Sequence, residues 1–265
     1  MDCGAQLRSL FAPEGGVRAI FSAKVADYIA SRPDYPASLF DALREHCELR
    51  PGDNIADVGA GTGLLTQGLL QRGWRVTAVE PNPAMRAAAD HFLGADQAYR
   101  CVDGCAEAMP LADHGVALIT AAHAFHWFDI EPARAEFRRV LAPGGRVALI
   151  WNDRLAGDPL HEALDEVFNA YGGAKRAALS THGERGDVPR FFGANRPSEF
   201  GWPHLHSLDA AGLASLVFSR SYMPARDSVE GREVERLTTN LFERFGVEGW
   251  LAVRYTTVAS IGALT

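Results

Sequence analysis

Short apolar runs alternate with amphipathic stretches through the middle of the chain. Each run is typical of a buried strand, because the central strands of parallel sheets are apolar on both faces. The stretches between the runs are bounded by helix signals such as Asn82-Pro83 at a start and Arg72-Gly73 at an end. The pattern predicts five strands, at residues 54–59, 75–80, 98–103, 116–122 and 146–151.

Helices are predicted around these strands, at residues 17–29, 38–46, 64–71, 82–91 and 132–141. Alternating strands and helices predict an α/β fold with a doubly wound, Rossmann-like sheet that is mostly parallel. The later chain predicts a possible strand at 202–206 and helices at 208–218 and 229–245. Apolar and polar residues alternate at 250–262, which predicts an antiparallel final strand.

The pattern divides the chain into four parts. Prolines in RPDYP and at Arg50-Pro51 separate the first helices from the alternating region. The periodicity weakens after residue 151. We therefore predict an N-terminal helical cap at 1–50, a Rossmann-like core at 51–151, a helical insertion at 152–198 and the C-terminal part of the same sheet domain at 199–265.

Composition and charge weigh against two kinds of partner. The 265 residues are 47% hydrophobic and 22% charged, an ordinary balance for a globular protein. The formal net charge of -7 gives no basic excess of the kind that binds nucleic-acid phosphates. No run of about eighteen apolar residues predicts a membrane span. We expect neither nucleic acid nor a membrane as a partner, and the sequence leaves the oligomeric state open.

The N-terminus and the cysteines indicate the cellular compartment, and the histidines bear on whether a metal site is expected. The first residues lack a basic start followed by an apolar segment, so no secretory signal is expected. No CxxC pair occurs among the four cysteines, Cys3, Cys47, Cys101 and Cys105. His204 and His206 share a face of a predicted strand without an evident third ligand, so no metal site is predicted. These features favour a cytoplasmic protein with reduced thiols.

The most informative segment is the glycine-rich turn DVGAGTG at 57–63, which follows the first predicted strand. Its glycines let the backbone turn tightly and approach a ligand closely. Open α/β sheets bind ligands beyond the carboxyl ends of their strands, where this turn lies. Glu80 ends the second predicted strand, where a carboxylate can accept both hydroxyl protons of a ribose. The turn and the carboxylate together predict an adenosine-containing cofactor.

Two residues favour one such cofactor over another. A dinucleotide fingerprint, GxGxxG, needs its third glycine at the position that Leu64 occupies. Asp57 precedes the first glycine by two residues and would repel a pyrophosphate, whereas it suits a cofactor that carries an ammonium and a sulfonium. The sequence therefore favours S-adenosylmethionine, with a nicotinamide-dependent oxidoreductase as an alternative.

Five segments resemble, in order, the motifs of class I S-adenosylmethionine-dependent methyltransferases: DVGAGTG, EPNPAM, GCAEAMPLAD, AFHWFD and RVLAPGGRVALIW. Within that family the chain is similar to a small-molecule subgroup that contains trans-aconitate methyltransferase and its relatives. That subgroup has an N-terminal element like YIASRPDYP at 28–36 and a closing strand like RYTTVASIG at 254–262. The resemblance covers about residues 17–265, and its motifs specify the cofactor rather than the acceptor.

The resemblance implies how the turn and the second strand would hold S-adenosylmethionine. Gly59, Gly61 and Gly63 would wrap its methionine part, and Asp57 would order the turn and the cofactor amine. Glu80 would hold the ribose diol. Further cofactor contacts are predicted at Tyr28, Arg32, Ala60, Pro81, Met85, Gly104, Cys105, Ala106, Glu107, Ala122 and His123.

Several of these residues also have simpler explanations. Met85 would cover one adenine face, or it would belong to the core. Glu107 lies beside the predicted adenine site, but a carboxylate there also suits a helix cap. Many relatives have Asp where this chain has Cys105, so we predict a backbone contact from Ala106 instead of a side-chain hydrogen bond. The N-terminal element would close over the cofactor's carboxylate end or pin the first helix.

The acceptor side is predicted beside HAFHWF at 123–128, which follows the fourth strand. Methyl transfer from a sulfonium is an in-line displacement that requires alignment, and it needs a general base only when the acceptor arrives protonated. His126, and after it His123, are the candidate catalytic bases, although both also suit a role in shaping the pocket. Candidate substrate-binding residues, which core packing would explain equally well, are Phe125, His126, Trp127, Trp151, Phe191 and Phe192.

These observations predict an enzyme that transfers a methyl group from S-adenosylmethionine to a small organic acceptor and releases S-adenosylhomocysteine. A roof made by the N-terminal element and residues 152–198 would favour a small acceptor. Two further alternatives stay open, a methyltransferase acting on RNA or protein and a binding protein without turnover. The motifs identify neither the acceptor nor the methylated atom, because fold and cofactor do not determine the substrate.

Overall fold

The computed structural model describes residues 24–181 and 185–264. Its strands are β1 (Asn54–Val58), β2 (Arg75–Val79), β3 (Tyr99–Val102), β4 (Val116–Ala122), β5 (Leu141–Arg154), β6 (Ser198–Leu208) and β7 (Leu251–Gly262). They form one sheet in the order β3-β2-β1-β4-β5-β7-β6. Strands β1 to β5 pair in parallel, and β7 lies antiparallel to both β5 and β6.

The helices of the described residues flank this sheet. They are α1 (Val25–Ser31), α2 (Ala37–His46), α3 (Leu64–Leu70), α4 (Pro83–Leu93), α5 (Ile130–Val140), α6 (Pro159–Thr181), α7 (Val188–Phe192), α8 (Ala210–Phe218) and α9 (Val229–Phe245). A short 3-10 helix at Phe125–Trp127 follows β4. Among the described helices, none combines the length and the apolar character that crossing a membrane requires.

Apolar side chains of the sheet are buried on both faces, as a doubly wound fold requires. On one face Ile55 and Leu118 pack with Leu39 of α2 and Leu69 of α3. On the other face, side chains of β1, β4 and β5 pack with α5 and α7, including Phe137. A third cluster joins α6, α8 and α9 to β7 at the far side of the sheet.

The doubly wound sheet with its antiparallel last strand is confirmed, and the differences lie at element ends. Helix α5 begins at Ile130 rather than at Pro132, because a proline in the first helical turn lacks only an N–H that has no helical partner. Strand β6 extends beyond the predicted 202–206, and β5 extends past residue 151, because β7 pairs along both. Strand β5 also begins earlier than predicted, at Leu141, which pairs with Val116 of β4. Leu208 accordingly ends β6 instead of starting α8.

The first described helix ends where the sequence predicts a break. Residues 17–23 of the helix predicted at 17–29 lie outside the described residues, and α1 covers Val25–Ser31. Arg32 takes an extended backbone, with φ -75° and ψ 134°, because the following Pro33 disfavours helical geometry. The segment 24–36, called the N-terminal segment below, therefore turns away from its helix and crosses the carboxyl edge of the sheet.

Candidate active site

A cleft opens at the carboxyl ends of β1 and β4, where the strand order reverses. Its free volume is about 440 Å³ including the open mouth. Three parts of the chain meet there: the N-terminal segment, the glycine-rich turn and the ends of β4 and β5. The lining residues are Tyr28, Arg32, Pro33, Tyr35, Asp57, Gly59, Ala60, Thr62, Leu64, Leu65, Ala122, His123 and Asn152.

The glycine-rich turn uses backbone conformations that other residues seldom adopt. Gly59, Gly61 and Gly63 have φ values of 69°, 58° and 84°. A Cβ on Gly59 would lie 2.5 Å from the Cβ of Ala124, so this glycine permits close packing. A Cβ on Gly61 would meet no atom of the described residues within 4 Å. The turn is therefore packed tightly at one glycine and leaves open space beside another.

Asp57 is buried beneath this turn and joins three elements. Its two carboxylate oxygens accept hydrogen bonds from the hydroxyls of Thr66 in α3, at 2.7 Å, and Thr120 in β4, at 2.8 Å. Burial raises the pKa of Asp57 to about 6, although both hydroxyl bonds act to lower it. A carboxylate in such a position holds a negative charge at the floor of the cleft near neutral pH.

Glu80 follows β2 and holds the turn from the other side. One carboxylate oxygen accepts the backbone N–H of Gly61 at 2.9 Å, and the other accepts the N–H of Asn82 at 2.8 Å. Burial raises the pKa of Glu80 above its ordinary value. Each carboxylate oxygen can accept more than one hydrogen bond, so this group can also receive ligand hydroxyls.

The start of α4 places the residues that follow Glu80. The Asn82 side chain caps the helix by accepting the N–H groups of Ala84, at 2.9 Å, and Met85, at 3.3 Å. Met85 is 3% exposed, and Pro81 before the cap is half-buried. The buried thioether suits either predicted role, a cover for the adenine ring or a core side chain.

The predicted adenine loop at 104–107 is a tight turn. Cys105 and Ala108 exchange two backbone hydrogen bonds of 3.2 Å, and Ala106 is buried. A Cβ on Gly104 would lie 2.9 Å from Val79, so the loop packs against the end of β2. Glu107 points instead to α5, where it accepts the backbone N–H of Asp129 at 2.7 Å. This contact corresponds to the capping alternative for Glu107.

His123 directly follows β4 and lines the cleft. Its Nε2 accepts the backbone N–H of Asn152 at 2.8 Å, so the proton of the neutral ring lies on Nδ1. Burial, reinforced by Arg32 and Arg220, lowers the pKa of His123 well below its ordinary value. Its backbone φ of 51° is unusual for a residue other than glycine. The ring thus lies in the cleft as a neutral hydrogen-bond donor.

The other residues of the 123–128 segment lie beyond the cleft lining. His126 is half-buried, and its ring lies 4.8 Å from the ring of Trp127. Trp127 packs partly buried against the core. Phe125 is 2% exposed and meets Phe191 edge to face at 5.2 Å. The catalytic role of His126 and the substrate contacts of Phe125 and Trp127 stay predictions.

The remaining aromatic residues predicted for the acceptor wall are buried in the core. Trp151, Phe191 and Phe192 have no exposed surface. Phe191 packs edge to face with Phe137 of α5 and with Phe192. These side chains could therefore shape the acceptor site from behind, whereas direct contact would require them to move.

Tyr28 and Arg32 project from the N-terminal segment into the cleft. The guanidinium of Arg32 lies 4.6 Å from the centre of the Tyr28 ring. Burial, together with the nearby charge of Arg220, lowers the pKa of Arg32. Its buried Nε has no hydrogen-bond partner among residues 24–181 and 185–264. A buried N–H without a partner in the cleft indicates a place for an acceptor atom of a ligand.

Polar contacts hold the first part of the N-terminal segment in place. Lys24 Nζ donates to the carbonyl oxygens of Phe218, at 2.8 Å, and Met223, at 3.1 Å. Asp27 forms an ion pair of 2.5 Å with Arg226. The helix α1 packs on α8 and also touches α4. The segment is therefore anchored on α8 and also contacts α4 beside the cleft.

Several residues in or beneath the cleft were missed in the sequence analysis, and three of them are informative. Tyr35 lies within RPDYP and is surrounded closely enough that burial raises the pKa of its phenol. Thr120 is a polar residue inside an apolar strand, which is a signal for a buried hydrogen bond. Asn152 comes directly after the apolar run of β5. Asp57 and Glu80 are likewise polar residues near the carboxyl ends of β1 and β2. Thr120 could have been found by searching the apolar strands for polar residues, and the position of Asn152, though not its role, by searching strand ends.

Within the described part of the chain, no group of three His, Cys, Asp or Glu side chains could hold a metal ion. His204 and His206 do lie on one strand, β6. His206 Nε2 lies 2.9 Å from the carbonyl oxygen of Ser31, and His204 lies 3.1 Å from the carboxylate of Asp34. Both histidines therefore contact the N-terminal segment.

Comparisons with known proteins agree with this geometry. A methyltransferase domain family matches residues 56–149. An uncharacterized methyltransferase of Mycobacterium tuberculosis is 36% identical over 204 residues, 76% of either chain. An uncharacterized methyltransferase-like protein of Schizosaccharomyces pombe is 35% identical over 153 residues, 57% of this chain and 58% of the relative. A proposed type II methyltransferase from Anaeromyxobacter dehalogenans shares the fold, with a TM-score of 0.61 and 23% identity over 88% of this chain and 97% of that chain.

Proposed function

This chain belongs to the S-adenosylmethionine-dependent methyltransferase family, and we propose that it methylates a small organic molecule. The observation that carries the proposal is the cleft, in which a buried carboxylate, an open glycine turn and a roofing segment meet. Membership of the subgroup similar to trans-aconitate methyltransferase stays a prediction.

The cleft residues suit S-adenosylmethionine, which when bound supplies an activated methyl group on a sulfonium. The space beside Gly61 allows a ligand to approach the backbone. Asp57 offers a negative charge to an ammonium, and Glu80 offers acceptor oxygens to a ribose diol. The Nε of Arg32, which has no hydrogen-bond partner among the described residues, suits a carboxylate. The ammonium, the carboxylate and the ribose diol of the cofactor would thus each meet a complementary group in or beside this cleft.

The chain's own contribution would be to position the reactants and exclude water. The N-terminal segment roofs the cleft through Tyr28 and Arg32, and the neutral ring of His123 can donate a hydrogen bond from Nδ1. A group that donates and stays neutral would orient an acceptor oxygen, while a base is needed only for a protonated acceptor. His126 remains our candidate for that base. We propose contacts with the acceptor for His123 and for His126.

A small acceptor is favoured by the roof. An extended RNA or protein chain would have to enter beneath the N-terminal segment, which contacts α4 as well as α8. The formal net charge of -7 also disfavours an RNA backbone. A nicotinamide dinucleotide fits less well because Asp57 lies at the floor, where a pyrophosphate would be repelled.

Calorimetric titration with S-adenosylhomocysteine tests the cofactor part of the proposal. We expect saturable binding that Glu80→Gln weakens by about ten-fold or more, since the amide loses charge and one of two acceptors. Glu199→Gln is the matched control, because Glu199 accepts a hydrogen bond from Ser260 on the outer strands. Absence of binding, or equal binding of NAD, would refute the proposal.

The acceptor class can then be tested with a methyl-labelled cofactor. The enzyme is incubated with labelled S-adenosylmethionine and separate pools of small metabolites, RNA and protein. Label that appears in the small-metabolite pool and depends on Glu80 supports the proposal. Label that appears only in RNA or only in protein would replace it with one of the two macromolecular alternatives.

A further inference from the structure

Asn152 uses its hydrogen-bonding groups on two different walls of the cleft. It is 7% exposed and lies at the end of β5, opposite Thr257 of β7. Its backbone N–H donates to His123 Nε2 at 2.8 Å. Its side-chain Nδ2 donates to the carbonyl oxygen of Asp34 in the N-terminal segment at 3.2 Å. One residue therefore bonds both the ring that lines the cleft and the segment that roofs it.

The orientation of the Asn152 carboxamide follows from its partners. The carbonyl oxygen of Asp34 can only accept, so Nδ2 has to face it. The carboxamide oxygen then faces the Thr257 hydroxyl, which donates to it at 2.6 Å. Thr257 is fully buried, so this bond holds the amide in one orientation. The contact with Asp34 is thus built into the sheet and does not depend on a free rotation of the amide.

The backbone bond determines what His123 can do. Since Nε2 is occupied as an acceptor, the neutral ring keeps its proton on Nδ1 and can donate but not accept within the cleft. The backbone N–H of Asn152 exists whatever side chain residue 152 carries. The two bonds can therefore be separated by substitution of the side chain alone.

We propose that Asn152 is a positioning residue for methyl transfer. Its backbone holds His123 as a donor, and its carboxamide seats the N-terminal segment over the cleft. The inference rests on the proposed function, because the seated segment carries Tyr28 and Arg32 to the proposed cofactor site. The closed cleft and the orientation of His123 are then set from a single strand end, and no contact of the Asn152 side chain with the reacting atoms is required.

Asn152→Asp tests the side-chain contact. A carboxylate keeps the size of the side chain and can still accept from Thr257, but it faces the Asp34 carbonyl without a proton. Thr238→Val is the matched control, since the Thr238 hydroxyl is also buried and bonded, to the carbonyl oxygen of Val234 inside α9. Amide hydrogen exchange is measured in residues 24–36 and in β1, with no ligand present.

We expect Asn152→Asp to speed exchange in residues 24–36 by about ten-fold, with β1 unchanged, because one bond of the segment is lost. S-adenosylhomocysteine should bind about ten-fold more weakly to this variant. Thr238→Val should change neither the exchange in residues 24–36 relative to β1 nor the affinity for S-adenosylhomocysteine. Equal exchange in the two variants, or faster exchange throughout Asn152→Asp, would overturn the seating role.

Nitrogen NMR of His123 tests the backbone contact. We expect a proton on Nδ1 and none on Nε2, in the natural protein and in Asn152→Asp alike. A proton on Nε2 in the natural protein would overturn this part of the inference. If the natural protein fails to bind S-adenosylhomocysteine while the exchange results hold, the proposed function is wrong and the seating of the segment stands.

Discussion

The carboxylate of Asp57 accepts a hydrogen bond of 2.8 Å from the hydroxyl of Thr120, in the neighbouring strand β4. The second carboxylate oxygen accepts from Thr66 at 2.7 Å. The three side chains are almost completely buried. A charged group in such a place lowers stability, because its desolvation costs more than two hydroxyl bonds return. The presence of a charged Asp57 at the floor of the cleft is therefore explained by ligand binding rather than by a contribution to folding stability.

Asp57→Asn should therefore stabilise the protein while it weakens the cofactor site. The amide can accept from one threonine and donate to the other, so the hydrogen bonds persist without the charge. We expect the free energy of unfolding at pH 7 to rise by up to about 3 kcal/mol, from the raised pKa. S-adenosylhomocysteine should bind about ten-fold or more weakly. Chemical denaturation and calorimetry measure the two effects.

The difference in stability between the natural protein and Asp57→Asn should depend on pH in one direction. The pKa of Asp57 is about 6 in the folded protein, against an ordinary value of 3.8. Between these values the folded state holds a proton that the unfolded state has lost, so rising pH favours unfolding. The natural protein should lose stability relative to Asp57→Asn as the pH rises from about 4 to 6. A gap that is constant over this range would contradict the raised pKa.

Two alanine substitutions in the glycine turn should separate packing from binding. Gly59→Ala places a Cβ 2.5 Å from Ala124 in addition to its backbone strain, so we expect a loss of stability of about 2–4 kcal/mol. Gly61→Ala meets no atom and should cost only about 1–2 kcal/mol of backbone strain. Its methyl group projects into open space, so the larger effect should be on cofactor affinity. If Gly59→Ala and Gly61→Ala lost the same stability and the same affinity for S-adenosylhomocysteine, the separate roles of the two glycines would be contradicted.

Glu107 offers a test between its two interpretations. Its carboxylate accepts the backbone N–H of Asp129, which precedes α5. We expect Glu107→Ala to lower the free energy of unfolding by about 1 kcal/mol and to leave S-adenosylhomocysteine affinity within about two-fold. Thermal unfolding and calorimetry measure these quantities. A large loss of affinity with unchanged stability would instead support the predicted cofactor contact.

His123 should make the protein less stable in mild acid. Because its pKa lies well below 6.5 in the folded state, the unfolded chain alone takes up this proton as the pH falls below about 6.5. Stability should then fall by at most about 1.4 kcal/mol per pH unit. His123→Asn removes this dependence and tolerates the positive φ. His161 and His206 titrate in both proteins, so the difference between them isolates His123.

The sequence predicts those elements well whose signals are local. Helix α9 matches the predicted 229–245, and β1 and β2 match within one residue, because capping residues and glycines mark their ends. The carboxyl end of β5 and the full length of β6 depend on pairing with β7, which lies about a hundred residues from the end of β5. The spacing of local residues carries no information about such pairing.

The same distinction holds for the candidate site. One cleft is lined by five of the predicted residues, Tyr28, Arg32, Asp57, Ala122 and His123. They could be predicted because strand ends and the N-terminal motif are recognisable in the sequence. The positions of Glu107 and Phe191 could not be predicted, since a carboxylate or an aromatic ring carries no local mark of the partner that it meets. Asn152 was missed because its role depends on contacts with residues 34, 123 and 257 at once.

The roof of the cleft has a consequence for biosynthesis. The N-terminal segment leaves the ribosome first, whereas Asn152, His206, Phe218 and Arg226, which hold it, follow much later. A nascent chain can complete β1, α3 and β2 early, but the set of contacts that seats residues 24–36 is complete only after about residue 226 has emerged. An unfinished chain would therefore carry the glycine turn without its cover. Translation of the last quarter of the protein converts an exposed loop into an enclosed site.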